Sequence, residues 1–168
     1  AQDRMVAERE NLPILTVQGD MRDLSALPNE SFDLIFHPVS NVFCPEVEPV
    51  WRECWRVLKP GGSLLAGFMN PDIYLFDRTA EEERGELVVR HRLPYTDRNN
   101  LSEAEYAELV RKEQPLEYSH TMDEQVGGQL RAGFVITHFS EAPMHAGATA
   151  EYMIGYYATR AVKVGGPV

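Results

Sequence analysis

Two pairs of residues that could bind a ligand each follow a strand-like segment of the sequence. Asp20 and Met21 follow the first segment, and His37 and Pro38 follow the second. A carboxylate accepts hydrogen bonds, and a methionine side chain is flexible and polarizable enough to pack on a flat ring. Ligands of an open α/β sheet bind beyond the carboxyl ends of its strands. We therefore expect these residues to face one site, with Asn41 in the same loop as His37.

Each of these residues also has a purely structural interpretation. Gly19-Asp20 can form a simple turn in which the carboxylate caps the backbone that follows. A single histidine at the end of a strand is often a structural residue with satisfied hydrogen bonds rather than a base. We therefore predict that His37 lines the site, and we leave a role as a catalytic base open.

The first half of the sequence predicts alternating helices and strands. Residues 3–11 are typical of the end of a helix, and residues 14–18 and 32–36 of buried strands. Residues 45–58 predict a helix whose apolar side chains share one face, followed by a strand over 63–69. The residues of that face are Val47, Val50, Trp51, Cys54 and Leu58, and both tryptophans of the helix, Trp51 and Trp55, are interpreted as core.

Residues 71–118 break this rhythm and are interpreted as an inserted cap on the acceptor side of the site. Within the cap, residues 85–94 predict a half-exposed strand, and Ser102 begins a short helix through a capping box. The cap carries several aromatic side chains that either line a substrate pocket or build the core of the cap: Tyr74, Phe76, His91, Tyr95 and Tyr118. Of these, Tyr74, His91 and Tyr95 are the candidate substrate-binding residues.

Residues 119–168 predict a helix and two strands that complete the core begun by residues 1–70. A second capping box at Thr121 starts the helix, which contains the unusual pair Gly127-Gly128. Glycine inside a helix costs about 1 kcal/mol relative to alanine, so we expect close backbone packing there. The strands over 134–139 and 157–163 are close enough in sequence to pair antiparallel. The predicted fold is therefore an α/β sheet with a reversed edge.

The composition limits the partners of the chain. The 168 residues carry a formal net charge of −10 without a segregated basic face, which argues against nucleic acid. No apolar run approaches the roughly 20 residues that span a bilayer, so we expect no membrane segment. The two cysteines, Cys44 and Cys54, are too few for a disulfide framework or a zinc site, so we expect no metal and a cytoplasmic protein.

Three motifs together resemble class I S-adenosylmethionine-dependent methyltransferases. They are Val-Gln-Gly-Asp-Met-Arg-Asp-Leu at 17–24, Ser-Phe-Asp-Leu-Ile-Phe at 31–36 and Arg-Val-Leu-Lys-Pro-Gly-Gly-Ser-Leu-Leu at 56–65. The resemblance implies a Rossmann-like sheet with a final antiparallel hairpin, S-adenosylmethionine as cofactor and a small-molecule acceptor. It assigns Asp20 and Met21 to the adenine, and it places His37 and Pro38 beside the transferred methyl group and Asn41 beside the acceptor.

The sequence departs from the family pattern at its beginning. The family begins with a strand and a Gly-x-Gly loop, then a strand that ends in an acid for the ribose, and no Gly-x-Gly occurs in these 168 residues. Asp3 and Glu8 lie in the predicted opening helix and cannot replace that acid. We therefore expect an N-terminally truncated chain that binds the cofactor poorly.

The missing family strands would leave a gap between the predicted strands over 14–18 and 32–36. Three arrangements are open: the first strand moves beside the second, a second copy of the chain covers the edge, or a segment outside this sequence fills it. We expect a homodimer. Two other functions compete with methyl transfer, a non-catalytic module of the same fold and a nicotinamide-dependent reductase. The predicted antiparallel hairpin disfavours the reductase.

Overall fold

A four-stranded mixed sheet forms the centre of the chain in a computed structural model that describes residues 2–165. Its strands are β1 (Phe32–Pro38), β2 (Leu58–Met69), β3 (Phe134–Pro143) and β4 (Ile154–Lys163), in the order β1-β2-β4-β3. β1 and β2 are parallel, and β4 runs antiparallel to both β2 and β3. The predicted α/β fold with a final antiparallel hairpin is confirmed. The carboxyl ends of β1 and β2 lie at the same edge of this sheet.

Helix α2 (Glu48–Val57) connects β1 to β2 and supplies much of the core. The predicted face of this helix is confirmed, because its apolar side chains and Leu58 are at most 3% exposed. Trp51 is fully buried, and its indole N–H donates to the carbonyl of Glu124 at 3.0 Å. Trp55 packs at the margin of the core, with the ammonium of Lys163 4.0 Å from the centre of its ring.

Short helices make up most of the remaining regular structure within residues 2–165. The chain opens with α1 (Gln2–Arg9), and α3 (Arg78–Arg84), α4 (Asp97–Asn100) and α5 (Glu103–Arg111) follow β2. The predicted capping box at Ser102 is present at the start of α5. Single 3₁₀ turns cover Ser40–Phe43, Pro71–Leu75 and Ala148–Glu151. No helix within residues 2–165 combines the length and apolar character needed to cross a membrane.

The helix predicted from Thr121 begins with a π-helical turn, Asp123–Gly127, and continues as α6 (Gly128–Arg131). Its capping box is formed, since the Glu124 carboxylate accepts from the Thr121 backbone N–H at 2.8 Å and the Thr121 hydroxyl accepts from the Glu124 N–H at 3.2 Å. A Cβ at Gly128 would lie 2.7 Å from Cδ1 of the buried Trp51. The expected close packing at the glycine pair is therefore confirmed at Gly128.

Two predicted strands are wrong. Residues 14–18 have no strand partner among the described residues, and Leu15 is 88% exposed. A strand is stabilised by its hydrogen-bonded neighbour, and this segment does not reach β1, so the arrangement in which it moves beside β1 is also wrong. Residues 85–94 form only an isolated bridge between Phe76 and Val89, because the backbone N–H groups of Arg90 and His91 both donate to Leu75 and bend the segment.

Candidate active site

An open cleft of about 380 Å³ lies beyond the carboxyl end of β1. Residues of two loops line it, the loop that follows residues 14–18 and the loop that follows the 3₁₀ turn Ser40–Phe43. The lining residues are Gly19, Asp20, Met21, Arg22, Phe43, Cys44 and Pro45. The structure thus brings the predicted pair Asp20 and Met21 to the sheet edge where the topology expects a ligand.

Asp20 makes a turn and still presents its carboxylate to solvent. Its Oδ1 accepts from the backbone N–H of Arg22 at 2.9 Å, and its Oδ2 accepts from Nη2 of the same residue at 2.7 Å. The side-chain hydrogen bond of Arg22 lowers the pKa of Asp20, so the group is an anion at neutral pH. The turn interpretation is therefore correct, and Nε of Arg22 also donates to Oδ1 at 3.2 Å and to Oδ2 at 3.1 Å. A ligand amine that bonds to Asp20 would take the place of this longer, shared bond.

The other wall of the cleft was not predicted from the sequence. Phe43 is 49% exposed, which is high for a phenylalanine, and Met21 packs partly against the core on the opposite loop. Cys44 is buried, its thiol donates to the carbonyl of Glu46 at 3.0 Å, and burial raises its pKa, so it is a neutral thiol. The cleft therefore offers apolar surface from Met21 and Phe43 beside one carboxylate acceptor. The only sequence signal for Phe43 was its position shortly after a strand end.

A buried amide connects His37 to the helix after Thr121. Oδ1 of Asn41 lies 2.7 Å from Nε2 of His37, and Nδ2 of Asn41 donates to Oε1 of Gln125 at 2.7 Å. Asn41 is fully buried and Gln125 is 2% exposed. Because Oδ1 of Asn41 can only accept, Nε2 of His37 carries the proton and Nδ1 is the acceptor. Burial lowers the pKa of His37, with the Asn41 hydrogen bond opposing, so the ring is neutral at pH 7.

Further hydrogen bonds hold the same loop in place. Nε2 of His120 lies 3.0 Å from the carbonyl oxygen of Asn41 and 2.8 Å from that of Cys44. Beyond Gln125, the side chain of Gln129 donates to the Gln125 carbonyl at 3.0 Å and accepts from the hydroxyl of Thr159 at 2.9 Å. The loop that follows β1 is therefore fixed by partners from distant parts of the chain. No local pattern in the sequence pointed to Gln125 or His120 as members of this network.

The predicted substrate residues Tyr74, His91 and Tyr95 contact one another. The rings of Tyr74 and Tyr95 stack with centroids 5.0 Å apart, and the ring of His91 meets Tyr95 edge-on at 5.1 Å. The hydroxyls donate to carboxylates, Tyr74 to Glu117 at 2.8 Å and Tyr95 to Asp97 at 2.7 Å, and burial raises the pKa of both tyrosines. These ring faces cover each other, as expected of a small aromatic core.

The aromatic cluster adjoins the site loop through the backbone. Tyr118 N–H donates to the carbonyl of Val42 at 2.8 Å, and Ser119 N–H donates to the carbonyl of Tyr95 at 2.9 Å. Residues 118 and 119 thus connect Tyr95 to the loop that carries Asn41. Within residues 2–165, the side chain of Asn41 bonds to His37 and Gln125 and not to Tyr74, His91 or Tyr95, so the predicted substrate residues fall into two groups.

Comparisons with known proteins find similarity to methyltransferases. Residues 1–66 match the family described as a methyltransferase domain. The chain is 47% identical over 163 residues to the uncharacterized methyltransferase YbaJ of Bacillus subtilis, covering 97% of this chain and 63% of that protein. It is also 41% identical to a sterol 24-C-methyltransferase of Aspergillus fumigatus over 58 residues, which are 33% of this chain and 15% of that enzyme.

The fold has matches among solved structures. An S-adenosylmethionine-dependent methyltransferase of Mesorhizobium loti superposes with a TM-score of 0.62 at 18% identity, over 95% of this chain and 76% of that one. At this identity the superposition shows the fold alone. Together with the sequence matches, it confirms the resemblance that the three motifs predict.

Proposed function

We propose that this chain, which has the sequence and fold of a class I S-adenosylmethionine-dependent methyltransferase, is part of an enzyme that methylates a small molecule. The observation that supports this most directly is the cleft lined by Asp20, Met21 and Phe43. It lies beyond the carboxyl end of β1, and four of its lining residues, Gly19 to Arg22, belong to the motif at 17–24 that resembles the family. The chain spans 63% of the length of its Bacillus subtilis relative, so the activity is proposed for the whole protein.

The residues of the cleft fit an adenine ring. An exocyclic amine needs an acceptor, which Asp20 supplies, and the flat ring needs apolar contacts, which Met21 and Phe43 supply. The backbone N–H of Met21 is a further donor for a ring nitrogen. Bound S-adenosylmethionine would supply an electrophilic methyl group on a sulfonium. The protein then needs to place the acceptor in line with that methyl group and to exclude water.

His37 is proposed to line the methyl-transfer end of the site together with Pro38. Its Nδ1 has no hydrogen-bond partner within residues 2–165, and the side chain is only partly buried. A neutral imidazole with a free Nδ1 can take the proton that an O–H or N–H acceptor loses on methylation. Because the neutral thioether that leaves when the sulfonium gives up its methyl group is already a good leaving group, this base contribution is optional, and orientation of the acceptor dominates.

Residues 71–118 are proposed to form the acceptor side of the enzyme. The hydrogen bond from Tyr118 to Val42 attaches this segment to the loop after β1. Tyr74, His91 and Tyr95 would then shape the pocket wall from behind rather than contact the acceptor with their ring faces. The strongly acidic charge of the chain favours a small molecule over nucleic acid as acceptor. Both cysteines are free, which supports a cytoplasmic location.

The test of the proposed function is calorimetric titration of S-adenosylhomocysteine into the wild-type protein and into Asp20→Ala. We expect saturable binding by the wild type and at least about tenfold weaker binding by the variant, since the amine loses an ionised acceptor. Asp23→Ala is the matched control, because Asp23 is an exposed carboxylate in the same loop that caps Ser25 instead of lining the cleft. Absence of binding by both the 168-residue chain and a protein extended upstream would favour a non-catalytic module.

A second titration compares the 168-residue chain with a longer protein. We propose that the 168-residue chain alone binds S-adenosylhomocysteine more weakly than a protein extended upstream by a Gly-x-Gly loop. That loop would add backbone donors for the methionine end of the ligand. Equal affinity of the two proteins would contradict this part of the proposal.

A homodimer is proposed from the free edge of β1. Among the described residues, 2–165, this strand pairs only with β2, and Leu34 and Phe36 on it are 54% and 72% exposed. An unpaired strand with exposed apolar side chains favours association with another strand. Light scattering of the 168-residue chain at micromolar concentration is expected to give twice the monomer mass. A monomeric mass of the 168-residue chain would contradict the proposal. If this chain is a dimer and an extended protein is a monomer, the added segment covers the edge of β1.

A further inference from the structure

We propose that Arg56, acting with Glu53, is a positioning residue that fixes the loop carrying Asp20 and Met21. The inference rests on the proposed function, because it assigns to that loop the binding of adenine. It connects two of the three motifs in the sequence: Arg56 begins the last motif, and the loop belongs to the first. Neither Arg56 nor Glu53 lines the cleft itself.

Side chains of α2 form hydrogen bonds with both the backbone N–H and the carbonyl of Leu24. Oε2 of Glu53 accepts from the Leu24 N–H at 2.8 Å, and Nη2 of Arg56 donates to the Leu24 carbonyl at 2.7 Å. The two side chains also hold each other, because Nε and Nη2 of Arg56 donate to Oε1 and Oε2 of Glu53 at 2.9 and 2.7 Å. This paired geometry lowers the pKa of Glu53, chiefly through the side-chain hydrogen bonds of Arg56.

The same guanidinium organises the chain beyond Leu24. Its Nη1 donates to the carbonyl of Leu27 at 2.9 Å and to Oδ1 of Asn29 at 2.6 Å. A guanidinium has only donors and a peptide carbonyl only accepts, so the direction of each of these bonds is fixed by chemistry. The side chains of Arg56 and Glu53 are 26% and 20% exposed, so water competes for them only partly.

The loop has little other hydrogen bonding to the fold. The hydrogen bonds made by residues 19–23 are local: Arg22 and Asp23 donate to Asp20, and the Ser25 N–H donates to Asp23. Met21 adds an apolar contact with the core. Among the described residues, Leu24 is therefore the first position after Gly19 at which hydrogen bonds tie this loop to a helix. Loss of that tie leaves the loop to be ordered at the moment of ligand binding, which weakens affinity.

The test compares Arg56→Lys with the wild type. Lysine keeps the charge but is a single ammonium group, which cannot bond two carboxylate oxygens and two carbonyls at once. We expect the dissociation constant of S-adenosylhomocysteine to rise about tenfold. In steady-state assays, KM for S-adenosylmethionine should rise while kcat at saturation stays unchanged. Hydrogen exchange at residues 19–24 should accelerate in the absence of ligand, whereas exchange in β2 and β4 should not.

Arg52→Lys is the matched control on the same helix. The side chain of Arg52 is 63% exposed and pairs with Glu48 at 3.8 Å, away from the loop. Glu53→Gln is a second variant, because glutamine keeps an acceptor for the Leu24 N–H but loses the charge that Arg56 pairs with. We expect an intermediate loss of affinity from it.

The outcomes separate the inference from the proposed function. If the wild type binds S-adenosylhomocysteine and both Arg56→Lys and Glu53→Gln bind it with the same affinity, the inference is overturned and the proposed function stays intact. A fall in kcat with unchanged KM would overturn it equally. Absence of S-adenosylhomocysteine binding by the wild type would refute the proposed function and the inference with it.

Discussion

The two neighbouring glycines at the start of α6 should respond in opposite ways to replacement by alanine. Both residues are helical, with φ near −60° and ψ of −37° and −40°, so alanine fits either backbone and gains about 1 kcal/mol of helix propensity. At Gly127 the new Cβ would meet Oδ1 of Asp123 at 2.6 Å and Nη1 of Arg131 at 2.9 Å. Both atoms are ends of flexible exposed side chains that can move aside.

At Gly128 the new Cβ would lie 2.7 Å from Cδ1 and 3.1 Å from Nε1 of Trp51. That indole is fully buried and donates to the Glu124 carbonyl at 3.0 Å, so it cannot move without strain or loss of this bond. Overpacking costs about 1–3 kcal/mol and the hydrogen bond contributes about 1 kcal/mol. After the propensity gain, we expect Gly128→Ala to lower the free energy of unfolding by about 1–3 kcal/mol.

Urea denaturation followed by far-UV circular dichroism measures both variants without relying on tryptophan fluorescence. Gly127→Ala is expected to unfold at the wild-type urea concentration or slightly above it, and Gly128→Ala well below it. Tryptophan emission of native Gly128→Ala should also shift, because the indole of Trp51 must move. Equal stability of the two variants would refute the argument that close packing on Trp51 explains the glycine pair.

Three further predictions concern the site. Burial lowers the pKa of His37 below its usual 6.5, so near and below that pH the unfolded chain takes up a proton that the folded chain does not. The free energy of unfolding should therefore fall as pH decreases through and below 6.5. In urea titrations from pH 7.5 to 5.5, His37→Gln should remove part of this pH dependence. Gln125→Leu should free the Asn41 amide to turn. The ¹⁵N NMR shifts of His37 should then indicate a mixture of tautomers instead of the Nε2–H tautomer expected in the wild type. An Nδ1–H tautomer in the wild type would contradict the assignment of the proton to Nε2. Phe43→Ala should weaken S-adenosylhomocysteine binding severalfold with little change in thermal unfolding, because the side chain is 49% exposed; unchanged affinity would exclude Phe43 from the ligand.

The periodicity of the sequence was sufficient where packing is local. Val47, Trp51 and Leu58 lie on one face of a helix at spacings that leave no other arrangement, and the structure buries all three. The final hairpin was likewise predictable, because two apolar segments joined by a short connection pair with each other. The failure at residues 14–18 has the opposite cause: an apolar segment becomes a strand only when a neighbouring strand is available.

The site was predictable only in part for a related reason. Asp20 and Met21 are adjacent in sequence to a strand-like segment, and topology alone places them at the ligand edge. Phe43 reaches the same cleft through a 3₁₀ turn that no sequence pattern announced. Gln125 comes to Asn41 from 84 residues away, and such a pairing depends on the tertiary fold. Arg56 was recognised as part of a motif, but its contacts with Leu24 became visible only in the structure.

The most direct test of the whole account is a crystal structure of the protein with S-adenosylhomocysteine. We predict electron density for the adenine between Met21 and Phe43, with its exocyclic amine within hydrogen-bonding distance of the Asp20 carboxylate. An adenine bound elsewhere on the molecule, with the cleft beyond β1 left to solvent, would contradict the central claim.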